Sequence, residues 1–151
     1  MKSVELLDSS FGSKGLIGKE RLQIESQNSE YEGCWFDLNG KTYRSRLAKK
    51  TPTKAGYFVV AWEKDRENVN QAYNFESAKD YLVINIIDND LRGQFLFPKE
   101  ILIKKGIIKT EEQKGKMGFR VYLPTEQDLN KTATQTQRWQ KAYYTDVNSL
   151  N

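Results

Sequence analysis

The dipeptide Asn39-Gly40 constrains the fold of this chain more than any other short segment. Both residues tolerate the positive φ angles of a type I′ turn, so Asn-Gly between two alternating segments predicts a β-hairpin. Residues 31–38 and 41–48 are such segments. Because side chains alternate along a strand, one face of the first strand is apolar, with Cys34, Phe36 and Leu38. We therefore predict an antiparallel pair with one buried face.

Further segments predict the rest of the fold. Strands rich in aromatic and β-branched residues are expected at 57–63, 81–87, 93–97 and 117–123. Helices are expected on either side of a loop at 9–13, between Pro98 and Gly106, and from a cap at Thr125 with Asp128 to about residue 144. Polar loops are expected at 49–56, at 65–80 (with some helix) and at 110–115. The predicted class is α+β, a mixed, mostly antiparallel sheet flanked by helices, in one domain over 1–151 with a variable N-terminal segment, 1–28.

The numbers of histidine and cysteine residues exclude several classes of enzyme mechanism and metal site. The chain contains no histidine, which removes Ser-His-Asp and Cys-His mechanisms and imidazole ligands. Its single cysteine, Cys34, can form neither an intrachain disulfide nor a thiolate zinc site, and its apolar neighbours predict a buried thiol. The N-terminus lacks a signal-peptide pattern, and the longest strongly apolar run, 81–87, is too short to span a bilayer. We therefore expect a cytoplasmic protein with no membrane partner.

Positive charge is concentrated in two segments. The formal net charge is only +4, but residues 41–64 carry +6 and residues 99–120 carry +4. Residues 1–40 and 65–98 carry −3 each, and the remainder is neutral. If the two basic segments meet in the fold, they form a much stronger cationic patch than the net charge indicates.

The first basic segment combines a strand with a loop. Alternation places Arg44 and Arg46 on one strand face, about 6–7 Å apart, a spacing similar to that of phosphates along a nucleic-acid strand. Arginine forks suit phosphate oxygens. The loop that follows adds Lys49, Lys50 and Lys54. The alternative is that the arginines pair with carboxylates of the hairpin partner, namely Glu30, Glu32 or Asp37.

The second basic segment adds three candidate contacts, Lys114, Lys116 and Arg120. Gly115 between the two lysines would let backbone amides approach an anion. Further along, Arg138 and Trp139 could stack on bases, although a helical aromatic is more often part of a core. We therefore predict a basic strand-loop surface that binds nucleic acid, with DNA as the expected form and no clear catalytic motif.

Five blocks of sequence together resemble the MepB family, a group of small bacterial proteins named after a member encoded beside a multidrug efflux pump and its repressor. The blocks are Arg44-Ser-Arg-Leu-Ala-Lys-Lys-Thr-Pro52, Gly56-Tyr-Phe-Val-Val-Ala-Trp-Glu-Lys-Asp65, Gly93-Gln-Phe-Leu-Phe-Pro-Lys99, Lys114-Gly-Lys-Met117 and Thr136-Gln-Arg-Trp-Gln140. The resemblance covers roughly 31–144. It implies a cytoplasmic protein with a fold related to restriction endonucleases and with nucleic-acid binding, but no settled activity.

A metal-dependent nuclease is the first alternative. Such an enzyme needs an acid on one strand and an acid-x-lysine on the next, to hold Mg²⁺ and activate water. The clear acid-x-lysine match, Glu112-Gln113-Lys114, falls in a predicted loop. The remaining candidates for a metal site are Asp37, Glu63 and Asp65. Mg²⁺ is expected only if the protein is a nuclease, and no other cofactor is expected.

A small-molecule binder is the second alternative, prompted by the efflux context of the family and by the many aromatic residues. It requires a pocket for cationic drugs lined by Tyr57, Trp62 and Tyr81. The same residues would equally suit a hydrophobic core. The sequence leaves open DNA or RNA, sequence preference and oligomeric state.

Overall fold

The structure is a computed structural model that describes residues 2–11 and 22–147. The helices of this part are α1 (Lys2–Phe11), α2 (Lys99–Lys104) and α3 (Lys131–Gln140), with short 3-10 helices at Ser26–Tyr31 and Lys141–Tyr143. The strands are β1 (Gln23–Ile24), β2 (Cys34–Leu38), β3 (Lys41–Leu47), β4 (Lys49–Lys50), β5 (Tyr57–Val60), β6 (Trp62–Lys64), β7 (Asn70–Ala72), β8 (Tyr81–Asp88), β9 (Leu91–Pro98), β10 (Gly118–Val121) and β11 (Tyr144–Asp146).

The described strands form three sheets. The largest has the order β1-β2-β3-β8-β9-β11, a second has the order β10-β5-β4, and β6 pairs with β7. β3 and β8 pair in parallel, with Tyr43 opposite Tyr81, whereas the other pairs in these sheets are antiparallel. The predicted class, a mixed and mostly antiparallel α+β fold, is confirmed.

The hairpin at Asn39-Gly40 is confirmed in detail. The φ angles of these residues are 50° and 79°, as a type I′ turn requires. Leu38 pairs with Lys41 across the turn, and the register continues to Cys34 opposite Ser45. Cys34, Phe36 and Leu38 are all buried, so the predicted apolar face of β2 is correct.

Two apolar clusters hold the six-stranded sheet between its covering layers. On one face, α1 places Val4, Leu7 and Phe11 against Phe36 and Val83. On the other face, a larger cluster joins β8 and β9 to the three-stranded sheet and α2; it includes Ile84, Ile86, Phe95, Phe97, Val59, Val121 and Leu102. Burying each such side chain stabilises the fold by about 1.5–3 kcal/mol. Trp139 packs against Phe97, at 5.3 Å between ring centroids, so its main role here is packing.

The structure differs from the sequence predictions at several boundaries. The strand predicted from residue 31 is β2, and it begins only at Cys34 because Ser26–Tyr31 is in 3-10 conformation, interrupted at Asn28. The strand predicted over 57–63 is divided at Ala61, whose N–H donates to the carbonyl of Met117. The stretch 65–80 contains β7 and turns instead of helix. Helix α1 continues through 9–11, and the remainder of the predicted loop and the helix after it lie outside the described residues.

The last helix starts later and ends earlier than predicted. Asn130, not Thr125, is its N-cap, since the Oδ1 of Asn130 accepts the N–H of Ala133 at 2.8 Å. After Gln140 the chain turns and adds β11 to the sheet, with Tyr144 opposite Phe95. A Cβ on Gly93 would overlap the Tyr144 ring, so this edge pairing requires a glycine there.

The helices of the described residues are short. α1 and α3 have ten residues each, and no described helix is long and apolar enough to cross a membrane.

Candidate nucleic-acid interface

Strand β5 brings the two basic segments together, because its two neighbours come from them. β4 lies on one side and β10 on the other. Phe58 of β5 pairs in register with Lys49 of β4 and with Arg120 of β10. Directly opposed residues of a sheet point to the same face, so these three side chains form a row across the sheet. The segments 41–54 and 114–120 therefore meet at this row.

Two aromatic rings lie among these cations. The rings of Tyr31 and Phe58 meet edge to face, with 6.4 Å between their centroids, and the Nζ of Lys49 lies 4.9 Å from the Tyr31 centroid. Gly118 leaves room for Phe58, since a Cβ there would lie 2.5 Å from the Cζ of Phe58. Cations interleaved with aromatic rings can contact phosphates and stack on bases at the same time.

Arg120 fastens the loop 51–56 to β10. Its Nη2 donates to the Oγ1 of Thr51 at 2.6 Å and to the carbonyl of Ala55 at 2.8 Å. The Nε donates to the same carbonyl at 3.0 Å. These acceptors are uncharged, so Arg120 orders the loop that carries the exposed Lys54 without forming an ion pair there.

We define the basic sheet face by Tyr31, Lys49, Lys54, Phe58, Lys116 and Arg120. Lys54 and Lys116 are exposed, and Lys49 and Arg120 are half-buried. Among the described residues, none of these four cations has a carboxylate within ion-pair distance. The carboxylate next to the loop, Glu126, instead accepts the backbone N–H of Gly56 and of Leu123. The face therefore presents four cations whose charge is not neutralised locally.

One of the predicted contacts, Lys50, lies off this face. Lys50 pairs in register with Tyr57, which turns its side chain to the opposite side of the sheet. There its Nζ lies 3.7 Å from the Oδ2 of Asp88. Lys114 is exposed in the loop that precedes β10, two residues before Lys116.

Arg44 and Arg46 lie inside the protein, so the prediction that they form an exposed strand face is wrong. Arg44 is 8% exposed and Arg46 is 0% exposed. The Nη2 of Arg46 lies 2.6 Å from the Oε2 of Glu25. The Nε of Arg44 lies 3.2 Å from the other oxygen of Glu25, and its Nη1 lies 3.2 Å from Glu63. The arginines share a face, but other segments of the chain cover it.

Pairing with carboxylates, the alternative for these arginines, is correct in kind but not in its partners. The partners are Glu25 and Glu63 instead of residues of the hairpin. Of the expected partners, Glu32 accepts hydrogen bonds from Ser3, and Asp37 is exposed on β2. The physical reason is that a buried guanidinium takes carboxylates that are buried with it.

We call Glu25, Arg44, Arg46, Glu63 and Tyr73 the inner charge network. The Cζ of Arg44 lies 4.5 Å from the Tyr73 ring centroid. Burial lowers the pKa of Arg44, but Tyr73, Glu25 and Glu63 outweigh that effect, and the net pKa is raised. The network therefore keeps its charges in the interior by mutual neutralisation.

Cys34 lies beside the inner charge network. Burial raises the pKa of its thiol to about 11, with the charge of Arg46 acting in the opposite direction. The side chain is 0% exposed. The predicted buried thiol is confirmed, and a thiol with this pKa is protonated at neutral pH.

The candidate metal ligands do not assemble. Asp37 is exposed on β2, whereas Glu63 is buried against Arg44. Asp65 caps a turn, since its Oδ1 accepts the N–H groups of Glu67 and Val69. The described part of the chain contains no group of three or more His, Cys, Asp or Glu side chains placed to hold a metal ion. The expectation that these three residues could form such a site is therefore wrong.

The acid-x-lysine match lies in a loop, as predicted. The Gln113 side chain anchors this loop by donating to the carbonyls of Ile103 and Ile108. Glu112 lies at the rim of a cleft of about 710 Å³ that also contains Phe75. This position is outside any sheet, so it does not reproduce the strand geometry of a nuclease site.

The three aromatics expected to line a drug pocket lie in different settings. Tyr57 is buried and its hydroxyl donates to Asp88 at 2.7 Å. The ring of Trp62 lies under Lys64, and Tyr81 stacks on Tyr43 with 5.0 Å between centroids. They do not define a shared pocket, so that expectation is wrong.

The sequence analysis missed Tyr31, Phe58 and Glu25. Phe58 could have been found by alternation, because it falls on the face opposite the buried Tyr57 and Val59. Tyr31 and Glu25 lie in or next to a 3-10 helix that has no clear periodicity. Nothing in the local sequence of Glu25 indicates a buried ion pair.

These features define a small α+β protein with a cationic sheet face and a buried charge network. The chain belongs to the MepB-like family, whose model matches residues 25–146. The matched segment begins at Glu25 and includes the whole inner charge network. The resemblance carried by the five sequence blocks is therefore confirmed.

Two solved structures are similar to this chain. One, described as the crystal structure of MepB, is 51% identical to this chain, with a TM-score of 0.85. The match covers 98% of each of the two chains. The other, a bacterial homing endonuclease, is 15% identical, with 90% and 86% coverage and a TM-score of 0.41. That second likeness is too low to carry an argument, so a restriction-endonuclease-like fold stays a prediction. No curated protein matches this chain.

Proposed function

We propose that this protein binds nucleic acid through the basic sheet face, with DNA as the expected partner. One observation carries the proposal. Lys49 and Arg120 flank Phe58 in register, and Lys49 also lies over the Tyr31 ring. Lys54 and Lys116 are exposed in the adjoining segments. None of these four cations has a carboxylate partner among the described residues. Phosphate contacts by such cations supply most of the affinity of proteins for nucleic acids.

The spacing of the face suits a nucleotide strand. Neighbouring strands lie about 4.8 Å apart, so the backbones of Lys49 and Arg120, two strands apart, are separated by roughly 10 Å. Phe58 lies between them. A base stacked on this ring would therefore have a cation on each side, where its flanking phosphates lie. Sheet faces with aromatic residues bind unpaired bases in this way, so we expect single strands to bind at least as tightly as duplex.

Salt dependence tests this proposal, because counterion release lowers affinity steeply as salt rises. Fluorescence anisotropy with labelled single-stranded DNA, duplex DNA and RNA, each over a series of NaCl concentrations, gives the required slopes. We expect binding with a steep negative slope. Affinity that is absent for all three, or independent of salt, would contradict the proposal.

A matched pair of triple variants tests the location. The face variant is Lys49→Ala with Lys54→Ala and Lys116→Ala. The control is Lys2→Ala with Lys41→Ala and Lys79→Ala, which removes the same charge elsewhere. Lys79 matches Lys49 because each lies over an aromatic ring, and the other lysines are exposed. We expect the face variant to lose most of the affinity and the control to retain it.

The same samples test for a nuclease. Incubation of each nucleic acid with Mg²⁺ or Mn²⁺ is expected to leave it intact, because Asp37, Glu63 and Asp65 do not form a group that could hold a metal ion. Cleavage that copurifies with the protein and is lost on Glu63→Gln, in a variant that remains folded, would favour the nuclease instead.

A further inference from the structure

A small cleft of about 200 Å³ lies beside the basic sheet face, where the end of α3 meets β10. Three cations line it, Lys105, Lys116 and Arg120, together with Tyr122, Trp139 and Gln140. None of its lining residues carries a carboxylate. The cleft is therefore a concave, positively charged site.

The wall of this cleft is held in place by contacts of its own. Gln140 is fully buried; its Oε1 accepts the N–H of Tyr122 and its Nε2 donates to the carbonyl of Arg120, both at 2.9 Å. The Nζ of Lys105 lies 5.6 Å from the Trp139 centroid. Because two hydrogen bonds hold the Gln140 side chain before any ligand arrives, binding loses little conformational entropy at this wall of the cleft.

The size and charge of the cleft select a small, highly charged anion. Its volume is below the roughly 300–1,000 Å³ of sites for drug-sized molecules. A phosphomonoester carries about −1.5 to −2 charge at pH 7, more than a phosphodiester, and it can meet several cations at once. We propose that this cleft binds the phosphomonoester group of a nucleotide, either at the end of a strand or as a free nucleotide.

The position of the cleft favours the end of a strand. Lys116 and Arg120 belong to both the cleft and the basic sheet face, and Gly118, which also lines the cleft, has no side chain to block the way from Phe58. A strand that lies across Phe58 can therefore place its terminal phosphate in the cleft. In this form the inference rests on the proposed nucleic-acid binding.

Lys105 allows the cleft to be tested apart from the face. Lys105→Ala removes a cleft cation that is not part of the face, and Lys104→Ala is the matched control, since Lys104 is its exposed neighbour and does not line the cleft. The ligands are strands of one sequence with a 5′-phosphate, a 3′-phosphate or hydroxyl ends, and a nucleoside monophosphate compared with its nucleoside. Thermal unfolding checks both variants, and Lys105→Gln replaces Lys105→Ala if the alanine variant unfolds.

We expect the wild type to bind a phosphorylated end about tenfold more tightly than a hydroxyl end, the effect of one charge-assisted hydrogen bond. Lys105→Ala is expected to reduce this preference to about threefold or less, whereas Lys104→Ala retains it. The slope with salt for hydroxyl-ended strands is expected to be the same in both variants.

The outcomes separate this inference from the proposed function. If strands bind in a salt-dependent way but with equal affinity for both kinds of end, phosphomonoester binding by the cleft is overturned. Nucleic-acid binding by the basic sheet face is then retained. If no strand binds, but the nucleoside monophosphate binds the wild type and not Lys105→Ala, the proposed function fails and the cleft is a free-nucleotide site. If neither strands nor the monophosphate bind, both are overturned.

Discussion

Arg44 and Arg46 are inside the protein with carboxylates against their guanidinium groups, whereas Lys49 and Lys54, a few residues later, are at the surface without such partners. In the sequence these residues form one basic run. In the fold, the chain passes from the centre of the six-stranded sheet into an edge strand of the three-stranded sheet at Ala48. The basic run therefore has two halves. In the inner half, Arg44 and Arg46, the positive charge stabilises the interior, and in the outer half, Lys49 and Lys54, it faces solvent.

This difference shows that local sequence does not determine what a cation does. Arg44 and Arg46 are paired because Glu25 and Glu63, which are distant in the chain, are brought over their strand face. No comparable carboxylate reaches Lys49 among the described residues. We therefore expect replacements in the outer half of the run, Lys49 and Lys54, to affect binding. Replacements in the inner half, Arg44 and Arg46, should lower the stability of the fold.

Replacing Arg46 should have the largest effect. Arg46→Met leaves Glu25 buried without its closest partner, and breaking one side of a buried pair costs about 3–5 kcal/mol. Urea unfolding measures the free energy of unfolding, with Lys54→Met as control. The control should change it by no more than about 0.5 kcal/mol, as is usual for an exposed residue. Similar stability of the two variants would contradict the distinction between the halves.

A double-mutant cycle should show a smaller, specific coupling. Glu25→Gln and Arg46→Met remove the two sides of one contact, so the double variant should be more stable than the sum of the single changes predicts, by about 1–3 kcal/mol. Pairing Glu25→Gln with Lys54→Met serves as the control and should be additive. Additivity in both cycles would show that Glu25 and Arg46 are not energetically coupled.

The two halves also show which parts of this structure a sequence can predict. Asn39-Gly40 determines its turn through its own φ preferences, and β2 shows its buried face by alternation, so both predictions were correct. Alternation also placed Arg44 and Arg46 on one face correctly. It could not show that this face is covered, because the cover comes from Glu25, in a segment without periodicity, and from Glu63.

On the surface, the structure shows where the candidate contacts lie, and their role in binding stays a prediction. Lys49 and Arg120 lie on either side of Phe58 because β5 pairs with both of their strands, through a register that no local pattern encodes. The same register separated Lys50 from Lys49 by turning it to the other side of the sheet. Long-range pairing therefore explains both the successes and the errors.

The reactivity of Cys34 tests the burial of the region beside the inner charge network. Its pKa of about 11 lies above its value in the unfolded chain, so the native thiol stays protonated until the pH approaches 11. At pH 8 the thiolate fraction should be roughly 100-fold lower in the native protein than in the unfolded one. Rates of reaction with a thiol reagent, with and without urea, measure this difference. Equal rates would contradict the burial of Cys34.

Replacing Phe58 should have the smallest effect, and only on binding. Phe58→Leu removes a ring on which a base could stack, so affinity for single-stranded DNA should fall by about fivefold with no change in the slope with salt. Phe75→Leu is the control, because Phe75 is 54% exposed and lies off the basic sheet face. Equal losses of affinity in the two variants would contradict the stacking role of Phe58.

The most direct test of the account is the slope of log affinity against log salt for single-stranded DNA, compared between the two triple variants. The face variant lacks Lys49, Lys54 and Lys116, and each phosphate contact adds about 0.7 to the slope. Its slope should therefore be shallower than that of the wild type by about 2, whereas the Lys2, Lys41 and Lys79 variant should keep the wild-type slope. Equal slopes in the two variants would contradict the assignment of nucleic-acid binding to the basic sheet face.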